Sequence, residues 1–234
     1  MIMPKSCLRV RSVLAAACLF PFACGATSAQ TFVSDFATGF DGWSQQWHIE
    51  SETGTDGVAT HSTERGLNDG ASLKFDMGDG FGDDGTLWIE KQFAVLPNTP
   101  TLVDLSFQQF SLEQSDFSLF EIKAAISTED PQVQADFTTI GSTDTVAGWA
   151  PFAYDQIITS PTGQVWVALG IRVAFEGHRD YWIDHVSVTT DVVPEPSTVA
   201  LAGVIAVVGV GLFPRARTRS ATQPDRSSPA PGLH

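Results

Sequence analysis

Between residues 30 and 192, apolar and polar positions alternate in short runs that are separated by Gly, Asp, Asn, Ser and Pro. The clearest run covers 164–175, where every odd-numbered position from Val165 to Phe175 is apolar. This period of two is the spacing of side chains on one face of a β-strand. Weaker runs of the same period lie at 86–95, 101–112 and 119–127. Long stretches with a period of 3.6 are missing, so the pattern predicts strands and few helices.

The spacing of these runs predicts an all-β domain over residues 30–192. About nine or ten short strands fit into this segment, and most of them carry apolar residues on one face only. One-sided strands become stable when they bury their apolar faces against a second sheet. The pattern therefore predicts an antiparallel β-sandwich with its core between the two sheets.

The first 29 residues have the pattern of a secretory signal peptide. Lys5, Arg9 and Arg11 form a basic start, residues 13–23 are apolar, and small residues end the segment at Ala29. This order is typical of a cleaved export signal, which takes no part in the fold. All three cysteines of the chain lie in this segment, so we expect the domain to fold without disulfide bonds.

A second apolar segment lies near the C-terminus, at residues 197–213. A run of about 17 residues is at the lower limit for a helix that spans the hydrocarbon core of a membrane. Arg215 and Arg217 follow this run, and positive charge after such a helix favours a cytoplasmic C-terminus. We therefore expect a C-terminal hydrophobic transmembrane helix, followed by a disordered tail at 220–234.

Pro194, Glu195 and Pro196 precede this helix. The order of Pro-Glu-Pro, apolar helix and arginines resembles the PEP-CTERM sorting signal over residues 193–219. The resemblance implies a protein exported by a Gram-negative bacterium, recognised at the membrane by an exosortase and cleaved near the Pro-Glu-Pro motif. The helix would then anchor the protein only transiently, before it reaches the cell surface or the extracellular space. The alternative is a plain C-terminal membrane anchor.

The predicted domain is strongly acidic. Residues 30–192 contain 25 of the 27 Asp and Glu residues and 6 of the 13 Lys and Arg residues, a net charge of −19 (6 − 25). Such a charge argues against nucleic acid or anionic lipid as a partner. It is typical of a soluble extracellular protein, and it is compatible with calcium binding.

Two phrases in the domain carry a second resemblance. The last predicted strand, Tyr181–Val188, and the phrase Gly39–Trp43 resemble the closing and opening strands of jelly-roll carbohydrate-binding modules and galactose-binding-like adhesin domains. The resemblance implies a jelly-roll-like sandwich that binds carbohydrate weakly. A structural calcium often bridges the first and last strands in that family, which would place Asp184 and Asp35 on the ion. His185 replaces the second acidic or amide residue that the family usually has.

A Gly- and Asp-rich loop at residues 76–85 offers a second calcium site, with Asp79 and Asp83 as ligands. Glycines let such a loop fold so that its carboxylates converge, although the spacing does not match an EF-hand. The alternative is a solvated hairpin loop. For Asp184, a metal-bound and a metal-free carboxylate both remain open, and an unpaired carboxylate in this apolar strand would be costly.

Four residues on outward faces of predicted strands are candidates for sugar binding: Trp88, Trp166, Arg172 and Glu90. Aromatic rings can cover the C–H face of a pyranose, and polar side chains can bind its hydroxyl groups. Large aromatic residues on a polar sheet face need an explanation. The alternative is that Trp88 and Trp166 are covered by a loop or by another subunit.

Catalysis finds little support in the sequence. Nucleophile-elbow, P-loop and dinucleotide-binding phrases are missing, and 25 acidic residues do not single out the carboxylate pair of a glycosidase. We therefore expect a non-catalytic protein of the cell surface or biofilm matrix that binds exopolysaccharide. The alternatives are a structural or adhesive matrix protein that binds protein or itself and, less favoured, a secreted glycan-active enzyme.

Overall fold

A computed structural model describes residues 29–50, 57–68, 70–78, 84–112, 120–143, 146–173 and 178–194 of the chain. Several sequence predictions fall outside these ranges: the signal peptide up to residue 28, Asp79 and Asp83, Glu195 and Pro196, the helix at 197–213, Arg215 and Arg217, and the tail at 220–234. In the part of the chain that the structure describes, no helix is long and apolar enough to cross a membrane.

Eleven strands and one short 3₁₀ turn form in the described ranges. In chain order they are β1 (Gln30–Ser34), β2 (Ser44–Ile49), β3 (Val58–Ser62), β4 (Ser72–Asp76), β5 (Gly85–Ala94), β6 (Pro100–Ser111), β7 (Phe120–Ser127), the 3₁₀ turn (Gln134–Asp136), β8 (Thr138–Ser142), β9 (Gly148–Thr159), β10 (Gln164–Val173) and β11 (Asp180–Val192).

The strands form two sheets, and all of their pairings are antiparallel. One sheet has the order β3-β4-β11-β6-β9, with β1 also paired to β11, and the other has the order β2-β5-β10-β7-β8. Sequence neighbours are often in different sheets, so the chain crosses repeatedly between the two layers. The predicted all-β, jelly-roll-like antiparallel sandwich is confirmed.

The core lies between the two sheets, where the period-two alternation places it. Strand β10 is the middle strand of its sheet, and its inward residues Val165, Val167, Leu169 and Ile171 have no exposed surface. They belong to one apolar cluster with inward residues of the six-stranded sheet, such as Leu105. Burial of each such side chain stabilises the fold by roughly 1.5–3 kcal/mol.

Strand β11 joins three strands of the six-stranded sheet. It pairs with β6 on one side, and on the other side it pairs first with β4 and then with β1. The change of partner coincides with a register shift between Asp184 and Ser187. His185 lies in this shift with a φ of 54°, a left-handed conformation that is uncommon outside glycine. This β-bulge re-aims the side chains of the last strand.

Candidate ligand-binding surface

The outward face of the six-stranded sheet carries three aromatic side chains on adjacent strands. Trp182 of β11 is the register partner of Phe110 of β6, which is also the partner of Trp149 of β9. Their ring centroids are 5.8 Å and 5.4 Å apart, both in edge-to-face geometry. We call Trp182, Phe110 and Trp149 the aromatic row.

Two cationic side chains lie over one end of the aromatic row. The Arg65 guanidinium carbon is 4.7 Å from the ring centroid of Phe110 and 5.0 Å from that of Trp182. The Lys74 ammonium is 5.9 Å from the Trp182 ring. These are cation–π distances. They explain why Trp182, although it is on the outer face, is only 3% exposed.

The other end of the aromatic row is partly open. Phe110 and Trp149 are both partly exposed, and β9 is an edge strand. Gln108 is also partly exposed, on the same face and two register pairs along from Phe110. The open part of the surface therefore combines two aromatic rings, an amide and the neighbouring Arg65.

The loop that carries Arg65 is held in place by the backbone and by Asp184. The Asp184 carboxylate accepts hydrogen bonds from the backbone N–H of Leu67 at 2.7 Å and of its neighbour His185 at 2.6 Å. The Ser72 hydroxyl donates to the Arg65 carbonyl oxygen. The bulge in β11 thus supports the loop between β3 and β4, which in turn places Arg65 over the aromatic row.

These contacts bear on the calcium site that the second resemblance implies. Asp184 is 3% exposed, and both of its oxygens accept a backbone N–H, so protein donors offset the burial cost of this carboxylate. Asp35 is exposed and accepts a hydrogen bond from the backbone N–H of Ala37. Neither residue belongs to a group of three close metal-ligating side chains among the described residues.

Four charged side chains meet at the end of β4 and the start of β11, next to the aromatic row. The Lys74 ammonium is 2.9 Å from Asp180 Oδ2 and 3.8 Å from Asp76 Oδ2. His178 Nε2 is 3.4 Å from Asp180 Oδ1 and 3.6 Å from Asp76 Oδ1. The hydrogen bond to Asp180 raises the pKa of Lys74, so this side chain stays charged. We call Lys74, Asp76, His178 and Asp180 the charged cluster.

The predicted sugar-binding residues Trp88 and Glu90 are on the outward face of the five-stranded sheet, but they are covered. Trp88 is 1% exposed, because the Phe137 ring packs edge-to-face on it with centroids 5.2 Å apart. Trp88 Nε1 donates to Glu90 Oε2 at 2.7 Å, and Glu90 is 2% exposed. This corrects the expectation of an open surface at these two residues and agrees with the alternative that a loop covers Trp88.

Burial also changes the acidity of Glu90. Removal of the carboxyl group from water raises its pKa, and the hydrogen bond from Trp88 offsets part of this shift. The nearby charge of Asp130 raises the pKa further. Glu90 is therefore a buried partner of Trp88 rather than a residue that faces solvent.

The predicted sugar-binding residues Trp166 and Arg172 do not form one patch with Trp88. Trp166 is partly exposed, and its register partners are Gln92 and Ser127. Arg172 binds Asp84 through two hydrogen bonds of 2.8 Å and 2.9 Å, and a third contact of 3.2 Å joins it to Glu121. These ion pairs engage the guanidinium of Arg172. Of the two predicted tryptophans, only Trp166 keeps a partly exposed ring.

The sequence-based search missed the surface that the structure brings together. Trp149 is not among the sugar-binding residues that the sequence predicts, and Trp182 enters the sequence analysis only as part of the last predicted strand. One signal was present: Phe110 has the same parity as the polar residues Asp104, Ser106 and Gln108, so alternation predicts an outward ring. The neighbours of Phe110 depend on strand register, and the alternation of apolar and polar residues does not specify this register.

Two small pockets lie where β1 and β11 meet β5. Their volumes are about 210 and 220 Å³, and both are lined by Gln30, Ala94 and Thr190. Pockets that bind small molecules are usually larger, at roughly 300–1,000 Å³. The aromatic row is therefore the stronger candidate for ligand contact.

No protein-family model and no curated protein matches this chain. Several solved structures have a similar fold. The CBM22-1 xylan-binding domain of Paenibacillus barcinonensis Xyn10C is 12% identical over 70% of this chain and 94% of that chain, with a TM-score of 0.43. The K1 cleaved adhesin domain of Lys-gingipain from Porphyromonas gingivalis is 14% identical over 68% of this chain and 97% of that chain, with a TM-score of 0.44.

The CBM22-1–GH10 modules of Clostridium thermocellum xylanase 10B, solved with xylohexaose, are a third example. They are 18% identical over 68% of this chain, with a TM-score of 0.44, and the match spans 28% of that longer chain. Carbohydrate-binding modules and adhesin domains, the two classes that the motif resemblance indicated, are thus both among these structures. At these identities and TM-scores, the comparisons do not identify a ligand for this chain. The ligand has to be inferred from the side chains of this chain.

Proposed function

We propose that this chain is an exported, non-catalytic protein that binds carbohydrate through the open end of the aromatic row. The observation that carries the proposal is the alignment of Phe110 and Trp149 in one register pair, partly exposed, on the outer face of the six-stranded sheet. Aromatic residues in one patch on a sheet face favour contact with a partly apolar ligand. The C–H face of a pyranose ring is such a ligand.

Polar groups beside these rings support the choice of a sugar over a purely apolar partner. Arg65 carries five N–H donors over the Phe110 ring, and Gln108 adds an amide that both donates and accepts. These groups suit the hydroxyl groups of a sugar. Since the surface is only partly open, we expect weak binding that gains strength from repeated units along an exopolysaccharide.

The place of action follows from the two terminal signals. The signal peptide at 1–29 and the motif Pro194-Glu195-Pro196 before the helix at 197–213 support export, membrane retention and processing by an exosortase. The net charge of −19 over residues 30–192 supports a domain that is soluble outside the membrane. These features together support a cell-surface or biofilm-matrix protein that contacts exopolysaccharide.

A structural calcium at Asp184 and Asp35 is a separate part of the proposal. The register pair of Ser34 with Val186 supports it, because Ser34 directly precedes Asp35 and Val186 lies in the bulge that contains Asp184. Calcium should then raise the melting temperature of the chain, and the increase should be lost in Asp35→Asn; an equal melting temperature in calcium and in chelator would remove this site.

The carbohydrate proposal is tested by a binding screen with the purified full chain. A glycan array and the exopolysaccharide of the producing bacterium are probed with calcium and with chelator. We expect saturable binding to at least one polysaccharide, with Phe110→Ala weaker than the unchanged protein. If no glycan is bound under either condition, the proposal is wrong.

A further inference from the structure

We propose that Asp76, His178 and Asp180 bind one transition-metal ion of the zinc type at the end of the six-stranded sheet. This site differs in residues and position from the calcium sites that the sequence suggested at Asp184, Asp35, Asp79 and Asp83. Metal binding at this site needs no carbohydrate, so this proposal can be tested independently of the function proposed above.

The first argument is the direction of the carboxylate oxygens. Asp76 and Asp180 are register partners on β4 and β11, so their side chains leave the sheet side by side. Lys74 contacts the Oδ2 atom of each, at 3.8 Å and 2.9 Å. The Oδ1 atoms face His178 Nε2, at 3.6 Å and 3.4 Å. Lysine thus orients both carboxylates from one side, and one oxygen of each turns toward the imidazole.

The second argument is distance. Zinc bonds to nitrogen and oxygen ligands are about 2.0–2.2 Å long, and the ligand atoms of a tetrahedral site are therefore about 3.3–3.6 Å apart. The two distances from His178 Nε2 to the carboxylate oxygens, 3.4 Å and 3.6 Å, fall in this range. All three donor atoms lie within 4.8 Å of one another. Small rotations of the side chains would bring them to one ion.

The third argument is an unsatisfied atom. Asp180 Oδ1 is buried and accepts no hydrogen bond from any described residue. A buried carboxylate oxygen without a partner is costly, and native proteins usually satisfy such an atom. The His178 Nε2 atom is 3.4 Å from this oxygen but makes no hydrogen bond to it. A metal ion between the three donors would satisfy it.

The donor set decides the class of metal. One imidazole nitrogen and two carboxylate oxygens suit zinc and similar ions, whereas calcium takes six to eight oxygen ligands. Three protein ligands leave a fourth position for water. The ion can reach the site from solvent, since His178 and Asp76 keep 49% and 32% of their side-chain surface exposed. The strong negative charge of the domain raises the local concentration of cations.

The positive charge of Lys74 lowers the affinity of the site for a metal ion. Two carboxylates and one ammonium leave a net charge of −1 at the site, so we expect moderate affinity, with a Kd on the order of micromolar. The competing explanation is that His178 is only an ion-pair partner of the two carboxylates when it is protonated. The two explanations differ in whether a metal binds at neutral pH.

The test is calorimetric titration of the chelator-treated, purified full chain with zinc, with calcium and manganese in parallel. We expect one zinc ion per chain, bound more tightly than calcium. His178→Ala and Asp180→Asn should each weaken zinc binding by more than about tenfold, since even residues that only support a ligand cost roughly 10–100-fold. Zinc should also raise the melting temperature of the unchanged chain, and should not raise that of His178→Ala.

The matched control is His48→Ala. His48 Nε2 is 3.3 Å from Glu50 Oε1, so this histidine also pairs with a carboxylate, but it is not part of a group of three donors among the described residues. Its loss should leave zinc binding unchanged. The proposal is overturned by the absence of saturable zinc binding, by full binding in His178→Ala, by an equal loss in His48→Ala, or by tighter binding of calcium. Melting curves in chelator confirm that each variant is folded.

Discussion

The replacement of Asp184 by Asn tests how the bulge in β11 supports the candidate surface. The carboxylate is 3% exposed and accepts the backbone N–H of Leu67 at 2.7 Å and of His185 at 2.6 Å. An amide keeps one acceptor oxygen and turns its own NH₂ group toward the other backbone N–H. One charge-assisted hydrogen bond is lost, and a buried donor is left without a partner.

The magnitude follows from these two contacts. A hydrogen bond to a charged group contributes about 1.5–3 kcal/mol, and an unsatisfied buried donor costs about 1–3 kcal/mol. The lost hydrogen bond and the unsatisfied donor arise largely from the same contact, so their energies are not simply added. We therefore expect Asp184→Asn to lower the free energy of unfolding by roughly 2–4 kcal/mol. Because Leu67 lies two residues from Arg65, the variant should also loosen the cation over the aromatic row.

The assay is urea unfolding of the purified full chain, in calcium and in chelator. Asp155→Asn is the matched control, since Asp155 is exposed and its register partner is Asp104, a residue of like charge. We expect the control to change stability by less than about 0.5 kcal/mol. The reasoning is refuted if Asp184→Asn behaves like the control, or if it is destabilising only when calcium is present.

Two further predictions concern the covered face of the five-stranded sheet. Because burial raises the pKa of Glu90, its carboxyl group binds a proton more tightly in the folded state, and its contribution to stability is lost as the pH rises through the raised pKa. Glu90→Gln should therefore gain stability relative to the unchanged chain as the pH rises above about 4.3, the ordinary pKa of a glutamate, in denaturant titrations, and a constant difference would contradict this. Gly170→Ala would place a Cβ atom 2.6 Å from Cβ of Trp88, so we expect a loss of roughly 1–3 kcal/mol in the same assay. Unchanged stability of Gly170→Ala would show that β5 and β10 are not packed closely there.

Much of the fold could be predicted from alternation alone. The apolar row from Val165 to Ile171 is the inward face of the central strand β10, as its period of two indicates. Alternation works here because a sandwich buries one face of each strand, and every second residue must then be apolar.

The candidate surface could not be predicted in the same way, because it depends on contacts between distant parts of the chain. Alternation places Trp88 on the outer face, and that placement is correct. The packing of Phe137 on this ring comes from the segment between β7 and β8, and no local pattern specifies it. The aromatic row likewise requires the register of three strands that are far apart in sequence.

The charged cluster shows the same limit. Asp76 belongs to the loop that the sequence analysis considered for calcium, but its partners Asp180 and His178 lie about a hundred residues later. They meet because β4 pairs with the first half of β11. A search for ligands within one loop therefore finds only part of the group.

The central claim is that carbohydrate binds at the open end of the aromatic row, and one paired measurement tests it most directly. Affinity electrophoresis in gels that contain the exopolysaccharide compares Trp149→Ala with Trp166→Ala, which removes the partly exposed tryptophan of the opposite sheet. We predict that Trp149→Ala weakens binding by at least about tenfold, as expected for loss of a central aromatic contact, and that Trp166→Ala binds like the unchanged chain. Full binding by Trp149→Ala together with loss of binding by Trp166→Ala would contradict the account and move the ligand to the other sheet.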